Sequence, residues 1–227
     1  MKIGFLLFPH SAEPDVAGPS RLLAALPGVT VSLAAAEQAP VVMDCGCSIR
    51  PTASFADAPA FDAICVPGGS GVAAALQSPE FLDYLCEAAE RAHWIGAIGT
   101  GAFVLGGAGL LVGRYATTHP AYADLLSGVG AEYRAGPIVR DGNVLTCDGA
   151  EAALDFAAGL AEAARGQDAA AGLRHLAARD PGYAAAACDR TAPCTGHLPE
   201  AGTGYAAHIE AVQSAISANV IGSEYTL

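Results

Sequence analysis

Short apolar runs, each closed by proline or glycine, alternate with stretches of helical period over most of the chain. Residues 3–8 are apolar apart from Gly4 and stop at Pro9, as expected of a strand buried on both faces of a parallel sheet. A helical pattern through residues 21–26 ends at Pro27-Gly28, and residues 29–35 predict a second strand. Val41-Val42 and Ser48-Ile49-Arg50 predict short strands about a turn at Cys45-Gly46-Cys47. Residues 61–66 form another buried run, cut off by Pro67-Gly68-Gly69-Ser70-Gly71, and helical stretches follow over residues 72–76 and 79–92. Residues 94–98 turn through Gly99-Thr100-Gly101 directly into a helical pattern that reaches Gly109. Asp141-Gly142-Asn143 predicts a hairpin between residues 136–140 and 144–146. Residues 151–165 and 168–179 predict alanine-rich helices.

Strands alternating with helices imply an α/β fold with an open, mostly parallel sheet covered on both faces. From Asp180 the character changes: Pro, Gly and Thr cluster over residues 189–204, and a weak helical pattern occupies residues 205–218. The expected organisation is one α/β domain over residues 1–180 with an extension over 181–227 that packs on the domain or on a second subunit.

Composition narrows the function. Eleven Lys+Arg stand against 23 Asp+Glu, a formal charge of −12, and Lys2 is the only lysine. Basic residues so scattered cannot neutralise a row of phosphates, so no nucleic-acid partner is expected. The same scarcity leaves no P-loop lysine and no interior lysine for a Schiff base. Mean hydropathy is +0.37, but no apolar stretch is long enough to span a membrane, and the N-terminal run lacks the features of a secretory signal. Seven cysteines, an odd number in a chain of 227 residues, point to thiols in a reducing cytoplasm. Cys188, Cys194 and His197 are irregularly spaced for zinc and Cys45-Gly46-Cys47 too closely; no metal is assigned. The turn at Pro67-Gly71 lacks the dinucleotide spacing, so no cofactor is assigned.

The junction at Gly99-Thr100-Gly101 carries the candidate chemistry. A strand meeting a helix across one tight turn exposes the turn residue at the strand's carboxyl end, facing the N–H groups of the incoming helix. Enzymes put a nucleophile at such an elbow; here the residue is Gly99.

Residues 1–165 resemble the isonitrile hydratases of the ThiJ/PfpI superfamily. The resemblance rests on Ile3-Gly4-Phe5-Leu6-Leu7-Phe8-Pro9, Asp15-Val16-Ala17-Gly18-Pro19, Ser54-Phe55-Ala56-Asp57 and Ile64-Cys65-Val66-Pro67-Gly68-Gly69-Ser70-Gly71-Val72. It continues through Leu105-Gly106-Gly107-Ala108-Gly109-Leu110-Leu111, Ala116-Thr117-Thr118-His119 and Val139-Arg140-Asp141-Gly142-Asn143-Val144-Leu145-Thr146. It implies a flavodoxin-like, glutamine-amidotransferase-like three-layer sandwich, a homodimer, and hydration of an isonitrile to an N-formamide. In that family an elbow cysteine attacks the isonitrile carbon, an aspartate matching Asp15 acts as acid/base, and a threonine matching Thr100 lines the site. Asp15 and Thr100 are retained, whereas Gly99 stands where the resemblance places the nucleophile.

Covalent attack from a residue without a side chain is impossible. The expected enzyme therefore works by non-covalent acid/base catalysis through Asp15 on a small organic substrate: a hydration, a lyase step or a cyclisation. Backbone N–H groups of Thr100, Gly101 and the Gly68-Gly69-Ser70 turn are expected to hold a polar substrate group, with space beside Gly99. His119, Cys147, Asp148 and Glu151 are expected at the same strand ends. Two other readings stand beside this one: a hydratase with its nucleophile removed, and a catalytically inactive small-molecule binding protein. Each residue also has a plainer role. Asp15 is expected in the loop after the first strand, where it would cap a helix starting near Gly18-Pro19. Thr100 would cap the elbow helix, and Asp148 and Glu151 would serve as turn and helix-start charges.

Overall fold

The first apolar run forms β1 (Lys2–Leu6), and its side chains divide between two cores, Ile3 and Phe5 on one face of the sheet and Leu6 on the other. α1 (Glu13–Ala24), β2 (Thr30–Ala35), the hairpin of β3 (Val41–Val42) and β4 (Ser48–Ile49), β5 (Ala53–Ser54) and β6 (Ala63–Val66) follow. Next come α2 (Val72–Leu76), α3 (Pro79–Arg91), β7 (Trp94–Ile98), α4 (Gly101–Gly107), β8 (Tyr115–Ala116) and a 3-10 helix over Pro120–Val129. β9 (Glu132–Tyr133), β10 (Ile138–Asp141), β11 (Val144–Cys147), a single 3-10 turn over Ala150–Ala152, α5 (Ala153–Arg165), α6 (Gln167–Arg179) and α7 (Thr203–Ser223) follow among the described residues. The computed structural model describes residues 1–179 and 203–223; Cys188, Cys194 and His197 lie outside the described residues.

Seven strands form one sheet in the order β10-β11-β7-β6-β1-β2-β5. Only β10 runs antiparallel, joined to β11 through the predicted Asp-Gly turn. α1, α5 and α6 cover one face and α2, α3, α4 and α7 the other. Phe5, Phe156 and Phe103 are fully buried in these layers, and each such side chain contributes ~1.5–3 kcal/mol through loss of apolar surface to water. From β1 the chain steps to β2 on one side and later returns to β6 on the other. That reversal opens a crevice at the carboxyl ends of β1 and β6, where ligands bind in folds of this kind.

One expectation is corrected. The first helix starts at Glu13, not near Gly18-Pro19, so Asp15 sits in its first turn rather than in a loop. Pro14 fills an early helical position whose N–H would have no partner anyway. Pro19 lies inside the helix and forfeits only the bond to the Asp15 carbonyl, four residues back. Within the extension, α7 lies across its own chain. Val212, Ala215 and Ile216, spaced along one helical stripe, are buried in the core shared with α2 and α4. The Asn219 amide donates to the Leu76 carbonyl at 2.7 Å.

Candidate active site

The crevice at the reversal point is laced by hydrogen bonds between four loops. Ala12 N–H donates to the Gly68 carbonyl (2.8 Å) and Gly68 N–H to Asp15 Oδ2 (2.9 Å), locking the turn before α1 to the turn after β6. Gly69 N–H donates to Thr100 Oγ1 at 3.2 Å. Gly99 N–H donates to the Cys147 carbonyl (3.0 Å), and the Thr118 hydroxyl donates to the Gly99 carbonyl (2.9 Å). These bonds bring Asp15, Gly68, Gly69, Gly99, Thr100 and Cys147 together.

Gly99 takes φ +53°, the left-handed region in which a side chain is disfavoured and glycine is not. A Cβ built there would meet nothing closer than the Gly149 Cα at 3.4 Å, and would lie 3.9 Å from Asp15 Oδ2. The corner thus has room for a side chain facing the Asp15 carboxyl, at the cost of backbone strain. Gly101 answers a different demand: a Cβ there would come within 2.5 Å of the Val66 carbonyl oxygen.

Asp15 is 3% exposed and forms no ion pair among the described residues. Oδ2 accepts the Gly68 N–H, while Oδ1 is buried with no hydrogen-bond partner among them. Desolvation outweighs that single bond and pushes the Asp15 pKa from 3.8 up to about 7, with a smaller push from Asp44. A carboxyl so placed exists in both forms near neutrality and has an oxygen unspent on the protein.

Other expected residues fall differently. Gly68 and Gly69 N–H are already committed to Asp15 and Thr100, and Ser70 is exposed, so that turn is not the open cradle expected of it. The carboxyl and hydroxyl have taken the donors first. Cys147 shares a face of the sheet with Cys65, and burial together with the nearby Asp15 charge drives its thiol pKa upward, keeping it protonated. His119 is half-buried, and its Nδ1 accepts the Ala121 N–H (3.2 Å), capping the 3-10 helix. Its ring lies 3.9 Å from where a Cβ on Gly149 would sit, and so stands near the elbow. Asp148 is half-buried, its N–H donating to Pro137. Glu151 is exposed and lines a separate groove with Leu22, Leu154, Leu173 and Arg174, between α1, α5 and α6.

Sequence reasoning missed two residues. Thr118, inside the run Ala116-Thr117-Thr118-His119, is fully buried and fixes the elbow carbonyl. Glu13 is 4% exposed in the first turn of α1, and its N–H donates to Asp44 Oδ1 at 3.4 Å. Its place two residues before Asp15 was the only signal. Among the described residues no cluster of three or more His, Cys, Asp or Glu is arranged to hold a metal, and no helix is long and apolar enough to cross a membrane.

A mostly parallel α/β sandwich with a buried carboxyl beside a strand-to-helix elbow defines the class. The chain belongs to the DJ-1/PfpI family, whose model matches residues 1–163. It is 44% identical to the isonitrile hydratase of Pseudomonas putida over 170 residues, 75% of each chain. A ThiJ/PfpI family protein from Pseudomonas syringae superposes with a TM-score of 0.77 at 30% identity, covering 96% of this chain and 89% of that one. A DJ-1 superfamily protein from Salmonella typhimurium gives a TM-score of 0.69 at 28% identity, covering 78% and 96%. These likenesses bear out the flavodoxin-like fold. They identify the chain as kin to a hydratase, and α6 and α7 lie beyond the family match.

Proposed function

We propose that this chain is an acid/base enzyme, related to isonitrile hydratase, that acts on a small organic substrate without a covalent intermediate. Gly99 occupies the corner where the resemblance places a cysteine, and Asp15 moves the proton. The observation that carries this reading is the Asp15 carboxyl, buried, with a pKa near 7 and with Oδ1 free of protein hydrogen bonds among the described residues. The protonated form donates to a developing anion or leaving group; the ionised form takes a proton from water or from substrate carbon. The N–H groups of Thr100 and Gly101 stand at the elbow to receive developing negative charge. Hydration, a lyase step and cyclisation all use this equipment, and the homodimer implied by the resemblance belongs to the same reading.

The test follows product formation from a panel of alkyl and aryl isonitriles and other small electrophiles by NMR, using the unaltered chain, Asp15→Asn and Gly99→Cys. Turnover by the unaltered chain with a pH–rate inflection near 7, abolished in Asp15→Asn, supports the proposal. Gly99→Cys is expected to gain formamide production, since its sulfur would hang beside the Asp15 carboxyl. Turnover that survives Asp15→Asn, or a covalent substrate adduct on any native cysteine, refutes the proposal. A ligand retained by both the unaltered chain and Asp15→Asn, with no product, assigns the cleft to binding instead.

A further inference from the structure

The hairpin of β3 and β4 carries two thiols that the proposed chemistry leaves unused. Cys45 Sγ and Cys47 Sγ lie 3.3 Å apart, and both residues are half-buried. The backbone imposes the approach. Met43 N–H donates to the Cys47 carbonyl (2.8 Å) and Gly46 N–H to the Met43 carbonyl (3.0 Å), while Gly46 takes φ +85°. This tight turn sets the side chains before and after the glycine on one side. Closing a bond between the sulfurs asks them to move from 3.3 Å to a separation of about 2.05 Å.

We propose that Cys45 and Cys47 form a reversible dithiol/disulfide centre whose oxidant is a low-molecular-weight disulfide such as oxidised glutathione. One cysteine, as its thiolate, attacks a sulfur of the small disulfide, breaking that S–S bond, forming a mixed disulfide and releasing one small thiolate. The second cysteine loses its proton and attacks the mixed disulfide at the protein sulfur. The Cys45–Cys47 bond forms and a second small thiolate leaves. Two electrons pass from the protein dithiol to the small disulfide, and the two protein protons end on the two small thiols. A bond that encloses only one residue removes little freedom from the unfolded chain, so the centre remains reducible by an excess of the same small thiol. The turn also abuts the helix that bears Asp15: Asp44 N–H donates to the Ser11 carbonyl at 3.0 Å, and Asp44 Oδ1 accepts from Glu13 N–H.

The experiment equilibrates the full chain in a graded series of reduced and oxidised glutathione, traps remaining thiols with an alkylating reagent, digests, and weighs the peptide containing residues 45–47. The proposal predicts that this peptide passes from doubly alkylated to unalkylated and lighter by two hydrogens as the buffer becomes oxidising, and returns on reversal. It also predicts that Cys47→Ser accumulates a stable glutathione adduct at Cys45 under the same buffers. A peptide that stays doubly alkylated throughout overturns the proposal. So does one in which the unaltered chain stops at the glutathione adduct without closing the internal bond.

Discussion

Replacing Asp15 with asparagine preserves side-chain shape: the amide oxygen can accept the Gly68 N–H, and the NH2 group takes the place of the unpartnered Oδ1. What it removes is the ability to ionise, and the effect on stability has a definite sign. The folded-state pKa is about 7 against an ordinary value of 3.8. Below 3.8 both the folded and the unfolded chain carry the proton. Between 3.8 and about 7 the unfolded chain gives it up while the folded chain keeps it, so stability falls as pH rises. Above about 7 the loss is complete, because the buried group is then charged in both states. The interval from 3.8 to about 7, at about 1.4 kcal/mol per decade of proton affinity, amounts to about 4 kcal/mol. Urea unfolding of both chains across this range gives the comparison directly. The asparagine variant is expected to match the unaltered chain within ~1 kcal/mol at the acid end and to exceed it by about 4 kcal/mol at the alkaline end. A gap that stays constant with pH would refute the burial argument, and with it the basis for treating Asp15 as a proton carrier near neutrality.

Three further outcomes follow from packing. Gly101→Ala would drive a Cβ into the Val66 and Pro67 carbonyl oxygens at 2.5 and 2.6 Å, and should lower stability by about 3 kcal/mol or more. Gly172→Ala, in α6 with nothing within 4 Å of the added carbon, should instead raise stability by about 0.5–1 kcal/mol in the same denaturation assay. Val212→Ala, at a fully buried position of α7, should cost on the order of 2 kcal/mol; a change near zero would show that α7 is not part of the cooperative unit.

The parts of the fold that were legible in the sequence are those with local causes. Apolar runs closed by Pro or Gly marked β1, β6 and β7, and the helical period from Pro79 marked α3, which the Ser78 hydroxyl caps by accepting the Phe81 N–H. The start of α1 was misplaced because both Pro14 and Pro19 suit a first helical turn. The choice is made by a contact far along the chain, Ala12 N–H on the Gly68 carbonyl. In the site, the glycines of two turns stood out because a strand's end predicts where the next loop emerges, whereas Asp15 and Thr100 were singled out by the resemblance to the isonitrile hydratases. The engagement of the Gly68 and Gly69 donors, the inward Thr118 hydroxyl and the departure of Glu151 to another groove all depend on partners in other loops. No window of neighbouring residues contains that information.

The placement of α7 bears on the order in which the molecule can be built. Its buried stripe rests on α2, α4 and the 3-10 helix. The links to Tyr122 and Leu76 reach back 86 and 143 residues. During synthesis the sheet and its nearer helices therefore emerge with one greasy wall still bare, awaiting α7. Until that segment docks, Leu76, Leu126 and their neighbours are a sticky surface that a growing chain must keep from its fellows.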